Sequence, residues 1–343
     1  MKRRTFLAGA AAAGVALAAP ALVRAQEVTT LRLHQFLPAQ ATIPALAIAP
    51  WVERVEAASA GRLRFELYPA MQLGGAPADL YDQARDGVVD LVWTVLGYTP
   101  GRFPRAEVFE LPWMVTRGEA TSVAFHKFVA AHAMDEFAGV RLLCAHAHGP
   151  GLFHSKDPIT RLEDLKGMKV RGGSRIINDL LAQLGAEPVG LPVPQVPEAL
   201  STGVINATTV PWEVTPSLKI AELVRNHTGF AGQHGLYTQT FGFIMNLERY
   251  DSLPVDLQAI IDANSGVETA RAFGAAMDAG DATGRRIAEE AGNSIVTLDA
   301  DETARWKAAS QPTIDRWVAD MQAAGADGAG LYEAALAAVT AEA

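Results

Sequence analysis

The chain has 343 residues, 29 Lys and Arg against 38 Asp and Glu, a formal net charge of −9 and one cysteine. A single thiol excludes an intramolecular disulfide and a zinc knuckle. Beyond its first residues the chain is acidic with no basic run, which argues against nucleic acid or an anionic membrane surface as a partner.

Lys2-Arg3-Arg4-Thr5-Phe6-Leu7 opens the chain with a basic run that looks like a twin-arginine export signal. An Ala/Gly/Val-rich core follows from Ala8 to Leu22, then Val23-Arg24-Ala25, a small-x-small cleavage site. The core falls short of the roughly 20 apolar residues of a spanning helix. Residues 1–25 are therefore expected to be a signal peptide removed after Ala25, placing the mature chain in the periplasm. Ordinary Sec export and an uncleaved anchor are the alternatives. Cleavage removes Lys2, Arg3, Arg4 and Arg24 and no acids, so the mature chain is more negative still.

Strands are expected at Val28–Phe36, Gly61–Tyr68 and Val88–Val95, and helices at Ile43–Ala58 and Ala76–Asp86. That alternation is an α/β sheet covered on both faces. A helix Ala120–Phe137 and a strand Val140–Ala147, with Cys144 as a buried thiol, continue it. Gly149-Pro150-Gly151 then breaks the chain. A second unit begins with the strand Met168–Arg171 and the helix Arg175–Leu184, stopped by Gly185. The strand Pro188–Leu191 and the helix Pro197–Thr202, stopped by Gly203, follow. Arg171 thus stands at the carboxyl end of a strand, where open sheets place ligands. Its planar fork suits a carboxylate, although residues alone leave an ordinary solvated arginine equally open. From Ser252 a helical pattern runs to about Ala291, roughly forty residues or 60 Å at 1.5 Å per residue, long enough to cross between two domains. Pro312 is expected to interrupt the next helix, and an amphipathic Ala-rich tail closes the chain.

His146, His148 and His154 lie close together and raise a metal-dependent hydrolase as an alternative. No carboxylate ligand or HExxH-like helix accompanies them, and there is no Gly-x-Ser-x-Gly elbow, phosphate loop or dinucleotide fingerprint. The reading is a binding protein, not an enzyme, with no cofactor and no metal.

Several stretches, in order and spacing, resemble one family. They are Gly61-Arg62-Leu63-Arg64-Phe65-Glu66-Leu67-Tyr68-Pro69, Gln72-Leu73-Gly74, Gly87-Val88-Val89-Asp90-Leu91 and Glu110-Leu111-Pro112-Trp113. The second half adds Asp164-Leu165-Lys166-Gly167-Met168-Lys169-Val170-Arg171, Leu184-Gly185-Ala186-Glu187-Pro188-Val189 and Glu198-Ala199-Leu200-Ser201-Thr202-Gly203. The chain resembles the DctP-type solute-binding proteins of tripartite ATP-independent periplasmic (TRAP) transporters over residues 28 to 320. The resemblance implies a two-lobed α/β periplasmic binding protein with open mixed sheets, hinge crossings and a long C-terminal helix spanning both lobes. Residues 28–151 plus 239–278 would form lobe 1, and 152–238 plus 279–343 lobe 2. It further implies that Arg171 holds the carboxylate of an organic acid, which lobe closure captures and TRAP membrane subunits receive. A ligand sensor serving a signalling partner is a second reading.

Departures from the family pattern bear on the ligand. Many members carry an acid where this chain has Gln195. Pro150–His154 contains no second arginine, and Val210 stands where sialic-acid-type members place an asparagine. The pocket should therefore hold one arginine and much apolar surface. Phe36, Trp93, Tyr98 and Trp212 are the candidate aromatic walls, although Trp93 could be core and Trp212 could pack a hinge. Glu213 could accept a ligand hydrogen bond or help hold a cation, and Gln72 could be a ligand contact or a turn residue. Tyr237, Gln239 and Phe241 fall near the return crossing between lobes. The pattern points to a small monocarboxylate, aromatic or hydrophobic, over a sugar acid or dicarboxylate.

Overall fold

The structure, a computed structural model, describes residues 28–343. The export signal read over residues 1–25 lies outside the described residues. Eleven strands are described: β1 (Thr29–Gln35), β2 (Leu63–Tyr68), β3 (Leu91–Val95), β4 (Val140–Ala147), β5 (Leu152–Ser155), β6 (Lys169–Gly172), β7 (Glu187–Gly190), β8 (Ala207–Val210), β9 (Asn226–Phe230), β10 (Thr240–Asn246) and β11 (Ser294–Leu298). They form two sheets, ordered β2-β1-β3-β10-β4 and β11-β9-β5-β8-β6-β7.

Each sheet is mixed, and in each the reversed strand lies just past a crossing. β10 runs antiparallel to both β3 and β4. β5 runs antiparallel to both β8 and β9. The remaining neighbours are parallel. The crossings that feed β5 and β10 meet at an isolated bridge, where the Gly151 N–H donates to Tyr237 O at 2.9 Å. Gly151 is required there, because a Cβ would run into the Tyr237 ring.

Local sequence explains the elements around Arg171. The helix Arg175–Gln183 starts at Ser174, whose hydroxyl accepts from Ile177 N at 3.3 Å. It buries Ile176, Ile177, Leu180 and Leu181 on one face, and Gly185 at φ +96° ends it. β3 is buried at all five positions, as a strand covered on both faces must be.

The pattern expected to run unbroken from Ser252 to Ala291 is two helices, Val255–Ala263 and Val267–Glu290. The break has a side-chain cause. Asn264 Nδ2 donates to Ile260 O at 2.9 Å and Ser265 Oγ to Ile261 O at 2.7 Å, capping the first helix with its own turn. Gly266 then adopts φ +85°, and its N–H donates to Leu143 O at 2.6 Å. The second helix, 24 residues long, extends for about 36 Å. It packs on the helix Gly118–Phe128 and β4 beside the first sheet, then on the turn Trp212–Val214 beside the second.

Two further expectations are corrected. Pro312 lies inside a continuous helix, Ala300–Ala323. Burial of Trp306 before it and of Ile314 and Trp317 after it outweighs the roughly 3 kcal/mol that an interior proline costs. The last helix, Gly328–Glu342, is expected in lobe 2. It packs on the helix Gly118–Phe128 at the first-sheet side, where Lys127 pairs with Glu342. Among the described residues no helix is long and apolar enough to cross a membrane.

Candidate functional site

A cavity lies between the two sheets. From the first-sheet side Phe36, Leu37, Trp93, Val95, Tyr98, His148, Gln239, Phe241 and Met277 line it; Val193, Val210, Pro211, Glu213 and Val214 face them. Its aromatic wall is an ordered stack. Trp93 lies against Phe36 at 4.7 Å and against Phe241 at 5.2 Å, with interplanar angles of 11° and 2°. Tyr98 meets Phe36 edge-on at 5.9 Å. Such flat apolar surfaces suit an aromatic ring.

Arg171 is fully buried; it does not line this space but lies beside Tyr98 and His148, which do. Its Nε donates to Leu191 O at 2.8 Å and its Nη1 to Thr209 O at 3.1 Å. Nη2 is buried with no partner. Neutral carbonyls thus orient the guanidinium, and none of these contacts neutralises it. Two other buried groups beside it lack partners, the Tyr237 hydroxyl and Gln239 Nε2. Gln239 reaches the loop beyond β6 because residue 173 is glycine; a Cβ there would collide with the Gln239 amide. Burial pushes the Tyr98 and Tyr237 hydroxyls up in pKa, and the Arg171 charge draws both part of the way back. Both keep their protons at neutral pH. Three unsatisfied donors around one buried cation are what a desolvated carboxylate needs.

The histidines belong to the scaffold. His146 Nε2 accepts from Trp93 Nε1 at 2.8 Å. His148 Nε2 accepts from Gln239 N at 2.9 Å, so its Nδ1 carries the proton and donates to Gly149 O. His154 faces His227 at 2.7 Å and Val210 O at 3.2 Å. Burial holds His146 and His148 down to about 3, so both are neutral.

Of the nine residues singled out from sequence, Phe36, Trp93, Tyr98, Glu213 and Gln239 line the cavity, and Arg171 lies beside two lining residues, Tyr98 and His148. Three do not. Trp212 turns away and packs on His154 and His227, at 5.0 Å and 4.8 Å between ring centres; its carbonyl, not its ring, faces the long helix at Gly284. Gln195 is exposed on a groove at the outer margin of the cleft, so its amide does not set the charge balance of Arg171. Gln72 is exposed in the turn after β2. Sequence reasoning missed His148 as a wall residue and left Tyr237 and Phe241 between hinge and wall. A period-two signal links Tyr237, Gln239 and Phe241 on one face, as His146 and His148 are linked.

The family model for bacterial extracellular solute-binding protein, family 7 (DctP), matches residues 35–320. The chain belongs to the DctP family. A TRAP solute-binding protein from Rhodoferax ferrireducens, crystallised with copurified benzoate, is 46% identical, covers 92% of this chain and 98% of its own, and superposes with a TM-score of 0.90. A marine-metagenome TRAP protein specific for aromatic acid ligands, co-crystallised with 3-hydroxybenzoate, is 43% identical over 92% of this chain and 99% of its own, with a TM-score of 0.91. The C4-dicarboxylate-binding periplasmic protein DctP of Rhodobacter capsulatus is 26% identical over 90% of this chain and 91% of its own. The DctP family comprises extracellular substrate-binding proteins that take up small organic acids and work with TRAP membrane components. The two-lobed fold and the binding-protein class expected from the sequence are those of this family.

Proposed function

We propose that this DctP protein captures a small aromatic monocarboxylate in the periplasm and delivers it to the membrane subunits of a TRAP transporter. The observation that carries the ligand class is Arg171 Nη2, buried without a partner beside the Phe36–Trp93–Phe241 stack. The ligand carboxylate would take Arg171, Tyr237 and Gln239 as donors, and its ring would enter the apolar cavity. The two relatives above, with benzoate and 3-hydroxybenzoate, support the same class.

Capture works by closure, without covalent chemistry, which is why the protein is read as a carrier and not an enzyme. The ring nitrogens of His148 are engaged with backbone, and those of His154 face His227 and a carbonyl, which disfavours a histidine-based hydrolase. The lobes would move about the paired crossings at Gly151 and Tyr237 and about the long helix Val267–Glu290. A ligand shifts that equilibrium only through its higher affinity for the closed form.

A thermal-shift screen of the mature protein against organic acids tests the reading. Benzoate at about 100 times its dissociation constant should add roughly 2.7 kcal/mol of stability, and succinate should add little. A shift with succinate and none with any aromatic acid would reverse the assignment.

A further inference from the structure

The cavity lining includes a carboxyl group. Glu213 lies in the short turn Trp212–Val214, and its side chain is buried in the cavity wall. The atom Oε1 is buried with no partner. Its own main chain is well held: Glu213 N donates to Asp281 Oδ1 at 2.7 Å, and Thr42 Oγ1 donates to Glu213 O at 3.3 Å. The main chain of Glu213 is thus fixed while one oxygen of its side chain, Oε1, is unsatisfied. The Thr42 hydroxyl reaches the carboxyl group but Oε1 has no partner, and Phe36, Trp93, Val214, Phe241 and Met277, which line the same cavity, offer it none.

Glu213 and Arg171 come from different elements, the turn Trp212–Val214 and β6. The Arg171 charge is felt by Tyr98, His148 and Tyr237. Glu213 instead feels Asp281. Burial first, and the Asp281 charge second, push the Glu213 carboxyl up to about 8. At neutral pH it is a neutral acid, so it does not repel a bound carboxylate, and it can both donate and accept.

We propose that Glu213 reads a hydroxyl group on the ring of an aromatic carboxylate, making the preferred ligand a hydroxyarene carboxylate; this rests on the reading of Arg171 as the holder of the acid group. A ring hydroxyl, itself donor and acceptor, supplies the partner that Glu213 Oε1 lacks. A ligand without the hydroxyl leaves Oε1 buried and unpaired, and sites built around a substrate hydroxyl reject the analogue that lacks it. Apolar surface alone discriminates far less, because one methyl group changes affinity only modestly.

Calorimetric titration of the mature wild-type protein with benzoate, the hydroxybenzoate isomers and the matching methylbenzoates tests this, alongside E213Q and E213L. One hydroxybenzoate isomer should bind at least about tenfold more tightly than its methyl counterpart. In E213L that ratio should collapse towards one, and in E213Q, which keeps a donor and an acceptor, most of it should survive. Benzoate binding with no hydroxyl preference in the wild type, or a preference that persists in E213L, overturns the proposal while leaving the carboxylate reading standing. Failure of benzoate and every analogue to bind brings down the carboxylate reading, and this proposal with it.

Discussion

The hydroxyl of Tyr98, on the turn after β3 in the first sheet, accepts a hydrogen bond from the backbone N–H of Val193 at 2.8 Å. Val193 follows β7 in the second sheet, so this bond spans the cleft. The ion pair of Glu107 with Arg175 at 2.6 Å spans it too. Tyr98 also lines the cavity and stands in the field of Arg171. One side chain would therefore join ligand contact to closure. Tyr98→Phe keeps the ring against Phe36 and removes the hydroxyl, with its bridge to Val193 and its contact with Arg171. A buried hydrogen bond contributes about 1 kcal/mol, so ligand affinity should fall several-fold, read by calorimetry, with little change in thermal stability of the unliganded protein. Equal affinity in both proteins would show that the bridge does not favour the closed form.

Glu213 gives a pH signature with a definite sign. Its carboxyl is raised from 4.5 to about 8 in the fold. The folded protein therefore holds a proton that the unfolded chain loses above its ordinary value. The contribution is fully present below 4.5 and is lost as pH rises towards 8. An isosteric amide has no such dependence. Urea unfolding of Glu213→Gln against wild type should show the variant gaining relative stability between pH 5 and pH 8, by on the order of 1 kcal/mol or more. Parallel pH profiles would show that the carboxyl is not buried as described.

Gly284 sets two known effects against each other. It lies within the helix Val267–Glu290, where alanine would ordinarily gain about 1 kcal/mol in helix propensity. A Cβ at this position would collide with the Trp212 carbonyl and crowd the Thr215 hydroxyl. Backbone cannot yield as a flexible side chain does, and overpacking costs about 1–3 kcal/mol. Gly284→Ala should therefore lower the midpoint of thermal unfolding despite its better propensity. A raised midpoint would mean that the turn bearing Glu213 is free to shift.

The strand–helix unit around Arg171 was legible because each of its elements is closed by a local signal, Ser174 at one helix start and Gly185 and Gly203 at two helix ends. The break at Asn264–Gly266 was not, because apolar spacing continues through it and only side-chain bonds back to the preceding turn end the helix. Aromatic identity found Phe36, Trp93 and Tyr98 but could not orient Trp212, whose proline neighbour turns its ring towards the two buried histidines. Gln195 and Gln72 were read from family position, and position along the chain did not say which face of a turn each would take. The short strands β5, β8, β9 and β11, four or five residues each, have patterns too brief to separate from loops and are defined by their partners.

Arg171 carries a buried positive charge whose partner, on the function proposed, is the carboxylate of the ligand. Calorimetric titration of benzoate into wild-type protein, Arg171→Ala and Arg171→Lys tests it directly. Loss of one partner from a buried hydrogen-bonded pair costs about 2–5 kcal/mol, so Arg171→Ala should bind at least tenfold more weakly while its unfolding transition stays cooperative. Arg171→Lys should recover only part of the loss, because a point charge cannot replace the fork that Leu191 and Thr209 hold in place. Undiminished benzoate affinity in a folded Arg171→Ala protein would contradict the account.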